Sequence, residues 1–148
     1  MFSKLLKLIL NKIISLIIYM NNWYKNLNKS PFSPPNWIFG VVWPILYTMM
    51  LFSVFIIWKN KKCFPYCLAI TYFLIQLIFN LIWTTLFFKM KKPKLALLDL
   101  FLVIVFTLIT IKKFYSINKY ASYLLVPYIL WLSFAFYLNS YIVLNNNL

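Results

Sequence analysis

Long apolar runs divided by lysine clusters constrain this chain more than anything else in it. The runs 38–58 and 124–144 carry no charge, 63–88 is longer still, and 95–111 is shorter and contains Asp99. A helix needs roughly 20 apolar residues to cross the hydrocarbon core of a bilayer, and all four runs reach or approach that length. Lys59, Lys61 and Lys62, then Lys89, Lys91, Lys92 and Lys94, then Lys112, Lys113 and Lys119 mark the turns between them. The runs are continuous and lack the period-two alternation of a membrane barrel, so they predict helices. Of the 148 residues 64% are hydrophobic and Asp99 is the single acidic one. A soluble domain would carry about a quarter charged residues, so the class expected is an all-α integral membrane protein.

The first twenty residues are ambiguous. Lys4, Lys7, Asn11 and Ser15 fall in one narrow stripe at 100° per residue, with Lys12 at its margin. A secretory signal would show a clean apolar core and a small-residue cleavage site, and neither is present. Two readings stay open. One is a first spanning helix that turns its lysines toward other helices or lets them snorkel; the other is an amphipathic helix in the headgroup plane.

The net charge of +14 comes entirely from lysines concentrated at the ends of apolar runs. There they attract anionic lipid, which makes membrane lipid the expected partner and excludes nucleic acid. Counted over five spans, the lysines slightly favour an inside N-terminus. With no His and one carboxylate, a metal site, a Ser-His-Asp triad or a carboxylate pair cannot be assembled within one chain. No metal and no required cofactor are expected. Cys63 and Cys67, four apart at the start of the third run, read as unpaired thiols, because a disulfide along a regular helix fits poorly.

Polar and aromatic residues inside the spans point to an interior site. Phe39, Gly40, Trp43, Tyr47 and Met50 share one helix face, as do Gln76, Asn80, Trp83 and Thr84, and Tyr128, Trp131, Ala135 and Asn139. Trp23, Tyr24, Trp37 and Trp58 lie near span ends, where an interfacial belt explains them as well as function does. Trp43, Trp83 and Trp131 lie deeper and favour a pocket. Pro44 and Pro127 predict helix bends, which either open that pocket or serve packing alone.

The segment WYKNLNKSPFSPPNWIFGVVWPILY, residues 23–47, resembles the signature of the TspO/MBR family through Trp23, Tyr24, Leu27, Lys29, Pro34, Pro35, Trp37, Phe39, Trp43, Leu46 and Tyr47. QLIFNLIWTTLFF at 76–88, Asp99, and LLVPYILWLSFAFYLN at 124–139 resemble the family's third, fourth and fifth helices in the same order. The resemblance implies one domain over 1–148, a five-transmembrane-helix bundle with helices at about 5–22, 38–58, 63–88, 95–111 and 124–144, a loop at 23–37, and commonly a homodimer. It favours the spanning reading of the first helix. It also implies a pocket for porphyrin-like or other aromatic hydrophobic molecules formed by Tyr24, Pro34, Phe39, Trp43, Tyr47, Asn80, Trp83, Trp131 and Ala135. Lys25 or Lys29 would meet porphyrin propionates, and Asp99 would bond within the bundle. Two departures matter: Lys29-Ser30 stands where the family usually has Lys-Pro, and nothing basic follows Tyr141 to complete a sterol-recognition pattern.

A membrane receptor or regulator for a tetrapyrrole is the leading expectation, in a bacterial plasma membrane by default. The alternatives are light-dependent oxidative breakdown of the porphyrin involving Trp43 and Trp131, and a porphyrin or sterol carrier. The chain shows no internal repeat of the kind carriers use.

Overall fold

The computed structural model describes residues 1–20 and 26–146. Six helices follow one another: α1 (Phe2–Met20), α2 (Asn36–Lys59), α3 (Leu68–Thr84, continued by a π turn over Thr85–Lys89), α4 (Pro93–Ile117), α5 (Lys119–Leu124) and α6 (Val126–Asn145). No strand occurs among the described residues. Four helical stretches are long and apolar enough to cross a membrane: Trp37–Lys59, Leu68–Lys89, Pro93–Ile117 and Lys119–Asn145. The last combines α5 and α6, so the chain is a bundle of five helices in which the first is short.

The α1 helix is excluded from those four by its lysines, yet it packs on α2 and on the π turn. Ile9 is buried and Leu5 half-buried against the core, while Lys4, Lys7 and Asn11 are exposed. Lys12 breaks the expected stripe, because its ammonium turns into the bundle.

The α3 and α4 helices form an antiparallel hairpin whose rings stack along its length, with Phe73 on Phe114 at 6.0 Å and Phe79 on Phe106 at 5.8 Å between centroids. The hairpin is closed by a tight reversal. Met90 donates its N–H to Thr85 O at 2.9 Å and Lys92 to Leu86 O at 2.9 Å, while Lys91 takes the left-handed conformation at φ 53°. Pro93 then opens α4, where its missing N–H costs nothing. This helix runs six residues beyond the expected end at 111. Its 25 residues span about 37 Å at 1.5 Å each, so Lys112 and Lys113 lie past the apolar slab and stay exposed.

The chain re-enters through α5, capped by Asn118, whose side chain accepts from the N–H groups of Tyr120 at 2.9 Å and Ala121 at 3.2 Å. Helix geometry breaks at Leu125, two residues before Pro127, which has no N–H and crowds the carbonyl of Tyr123. The predicted bend is therefore a break between two helices. Pro44, by contrast, lies inside an unbroken α2. Ser53 Oγ donates to Ala121 O at 2.6 Å and Ser122 Oγ to Ile111 O at 3.1 Å, which tie α5 to α2 and α4.

One expectation is overturned. Cys63 and Cys67 form a disulfide with Cα atoms 4.8 Å apart. The third helix begins at Leu68, not 63; Cys63 lies in a turn and Cys67 is the extended residue preceding the helix, at φ −147° and ψ 165°. The objection to a disulfide along a regular helix therefore does not apply.

Two outcomes follow from these turns. Alkylation of the unfolded, unreduced chain should label no cysteine and label both after reduction. Lys91→Gly should stabilise the bundle by about 0.5–1 kcal/mol in thermal unfolding, since glycine occupies the left-handed region without the Cβ penalty.

Candidate ligand-binding site

Every long apolar helix of the bundle sends a polar side chain inward, and these meet at Asn80 and Gln76. Tyr47 from α2 donates its hydroxyl to Asn80 Oδ1. Asn80 Nδ2 donates to the Tyr128 hydroxyl of α6 at 2.8 Å, which donates in turn to Gln76 Oε1 at 2.8 Å. Thr107 of α4 donates to Val103 O at 2.7 Å with its Oγ1 3.4 Å from Gln76 Oε1, and Gln76 Nε2 points at Met50 Sδ, 3.9 Å away. Lys12 of α1 completes the set, donating to Asn80 O at 2.7 Å and reaching Oδ1 at 3.3 Å. A buried amide left without partners costs kilocalories, and Asn80 has a partner at each side-chain atom.

Beside this network lies an aromatic cluster. Trp43 meets Trp131 at 6.4 Å and nearly a right angle, 89°, and stacks on Tyr47 at 5.6 Å; Phe39 meets Trp131 edge-on at 5.6 Å. Trp83 stacks on Phe87 at 5.2 Å. With its side-chain amide turned so that the oxygen faces the indole, Asn139 accepts from Trp83 Nε1 at 3.2 Å and donates to Pro93 O at 3.2 Å. The Trp131 Nε1–H is buried without a partner among the described residues.

Trp43, Asn80, Trp83 and Ala135, with Leu100, Val103 and Leu132, surround an interior gap of about 10 Å³. That is room for about one water and far below the 300–1,000 Å³ of a small-molecule pocket, so the interior is closed in this conformation. A larger cavity of about 800 Å³ opens between the loop before α2 and the end of α6, lined by Leu27, Asn28, Lys29, Ser30, Ser33, Pro34, Pro35, Tyr141 and Asn145. Its loop is pinned by Asn28 N–H to Asn146 Oδ1 at 3.0 Å, by Asn146 Nδ2 to Asn28 O at 3.0 Å, and by a 2.8 Å contact between the Ser30 and Tyr137 hydroxyls.

The nine site residues read from the sequence thus divide. Phe39, Trp43, Tyr47, Asn80, Trp83, Trp131 and Ala135 gather around the interior gap and its network; Pro34 lies on the outer cavity; Tyr24 falls outside the described residues, as does Lys25. Lys29 lines the outer cavity. Asp99 is buried with Oδ2 unbonded among the described residues, so the expected bond is not made there; Lys12 acts on it only through its field. Lys12 is not among the site residues read from the sequence, although one reading of the first helix turns its lysines toward other helices. Leu100, Val103 and Leu132 gave no signal, being aliphatic residues among many on α4 and α6.

An all-helical bundle with four apolar spans and an interior amide network defines a multi-pass integral membrane protein. The chain belongs to the TspO/MBR family, whose profile matches residues 5–144. It is 39% identical over 121 residues to the Chlorobaculum tepidum tryptophan-rich protein TspO, covering 79% of this chain and 75% of that one. Identity to the Archaeoglobus fulgidus tryptophan-rich protein TspO is 36% over 127 residues, 86% and 82% of the two chains. The human translocator protein is 35% identical over 119 residues, 79% of this chain and 70% of its own.

The network predicts a hierarchy of losses. Asn80→Ala strands the hydroxyl of Tyr47 and takes a donor from Tyr128, which keeps Gln76 Oε1, and should cost more than Tyr47→Phe, which leaves Asn80 Oδ1 with Lys12. The expected differences are about 1–3 kcal/mol per stranded group, read by thermal or denaturant unfolding in one detergent.

Proposed function

We propose that this protein is a membrane receptor or regulator for a flat aromatic ligand of the porphyrin class, held among α2, α3 and α6. The observation that carries the reading is the Phe39–Trp43–Trp131 cluster, in which three rings meet edge-on beside a buried indole N–H without a partner among the described residues. Aromatic walls stack on a tetrapyrrole face, and an indole N–H supplies a donor to a ligand carbonyl or carboxylate. Lys29 on the outer cavity suits a propionate. Because the interior gap is closed, binding requires the half-buried Trp131 and Phe39 to move outward toward that cavity. A homodimer in a bacterial plasma membrane belongs to the same reading.

A second reading rests on the edge contact of Trp43 with Trp131, two oxidisable rings against one site: light-dependent oxidative breakdown of the bound porphyrin. Titration of the purified chain with protoporphyrin in detergent separates the two. Saturable tryptophan quenching in darkness, weakened about tenfold or more in Trp131→Ala, with an unchanged porphyrin spectrum under illumination, is the expected result. Protein-dependent bleaching beyond the detergent control, lost in Trp43→Phe, would establish breakdown. Absence of saturable quenching would refute both.

A further inference from the structure

Away from the aromatic cluster, α1 and the end of α3 enclose a crevice of about 240 Å³ lined by Leu8, Asn11, Lys12, Leu81, Thr84, Thr85 and Lys89. Asp99, the only acidic residue of the chain, reaches Lys12 through its field and stays outside the lining; two lysines and no carboxylate line the crevice. Its hydroxyls are unusual within the bundle. Serine and threonine on an apolar helix ordinarily donate to the carbonyl four residues back, as Thr48, Thr107, Thr110, Ser133 and Ser140 do here. Thr84 is denied that acceptor, because the carbonyl of Asn80 already takes Lys12 Nζ at 2.7 Å. Thr85 opens the π turn, where the backbone pattern shifts to Met90 N–H on Thr85 O. Among the described residues of the four long apolar stretches, Thr84 and Thr85 are the serines and threonines whose side chains make no hydrogen bond. Lys12 spends its bonds on Asn80 O and Oδ1, and an ammonium has three protons.

We propose that this crevice is a binding site for a phosphate oxyanion, the headgroup of an anionic phospholipid. Lys12, Lys89, Thr84, Thr85 and Asn11 all line it with donors to offer, and unbonded hydroxyls in an apolar setting need an oxygen-rich partner. Lys89 is the last residue of the span Leu68–Lys89, which places the crevice's mouth at headgroup depth. Leu8 and Leu81 line the same crevice and suit the first carbons of an acyl chain. The volume accepts a headgroup and not a tetrapyrrole, so the site is separate from the aromatic one.

Native mass spectrometry of the full chain in detergent, with phosphatidylglycerol or phosphatidylcholine at equal concentration, tests this. Phosphatidylglycerol should be retained over phosphatidylcholine, and retention should fall about fivefold or more in Lys89→Gln combined with Thr85→Val. Both positions are exposed, which keeps the fold out of the result, and Asn11→Ala on the other helix is a second variant expected to weaken retention. Lys61→Gln with Lys62→Gln, at the opposite end of α3, should leave retention unchanged. Equal retention in wild type and the crevice variants overturns the site. Variant-sensitive binding of inorganic phosphate alone, as tight as that of the lipid, overturns the lipid as its occupant.

Discussion

The side-chain amide of Asn80 is the point on which the bundle's arrangement turns. In an apolar interior, helices gain little from hydrophobic contact with one another, since lipid offers the same surface. What distinguishes one arrangement from another is whether buried polar groups find partners. Asn80 is bonded to Tyr47 from α2, Tyr128 from α6 and Lys12 from α1, and Gln76 one turn earlier reaches Tyr128 and lies close to Thr107 of α4. Rotating any one of these helices by a single residue would strand a hydroxyl, an amide or an ammonium at several kilocalories each. Small residues do the complementary work: Ala96 on α4 and Ala121 on α5 are fully buried, and α5 packs on α2 and α4.

The network also explains α1. A helix with three lysines gains little from lipid on all sides, and Lys12 is held by two oxygens of one residue on α3. The other lysines of α1, Lys4 and Lys7, point outward. Of the two readings the sequence leaves open for this helix, an inward Lys12 matches the packed one, in which lysine is turned toward its neighbours.

Much of the bundle was legible because periodicity in an apolar chain survives only where function or polar bonding demands it. The faces Phe39–Gly40–Trp43–Tyr47–Met50, Gln76–Asn80–Trp83–Thr84 and Tyr128–Trp131–Ala135–Asn139 could be read from spacing; nine of these thirteen residues are buried, and Phe39, Gly40, Trp83 and Trp131 are half-buried. What could not be read lay where local geometry departs from the regular helix assumed between lysines. The turn before Leu68 brings Cys63 to Cys67, the π turn displaces Thr85, and α4 carries Lys112 and Lys113 past the apolar slab instead of ending at them. Spacing arguments presuppose 100° per residue, and the first two sites break that premise, whereas α4 stays regular and outruns its apolar stretch.

The closed interior gap has a polar floor and an aromatic roof, and the two differ in what it costs to move them. Asn80 on the floor has its amide committed to three other residues, and displacing it breaks several bonds in a medium without water to replace them. Trp131 and Phe39 are half-buried, Trp131 meets Phe39 and Trp43 through ring contacts, and Trp131 leaves its N–H without a partner among the described residues. An aromatic contact is worth about 0.5–1.5 kcal/mol beyond its buried area, and a ligand's own ring restores it. Any room for a larger molecule therefore comes from the aromatic side, by exchange of one stacking partner for another, while the amide network keeps the helices in register.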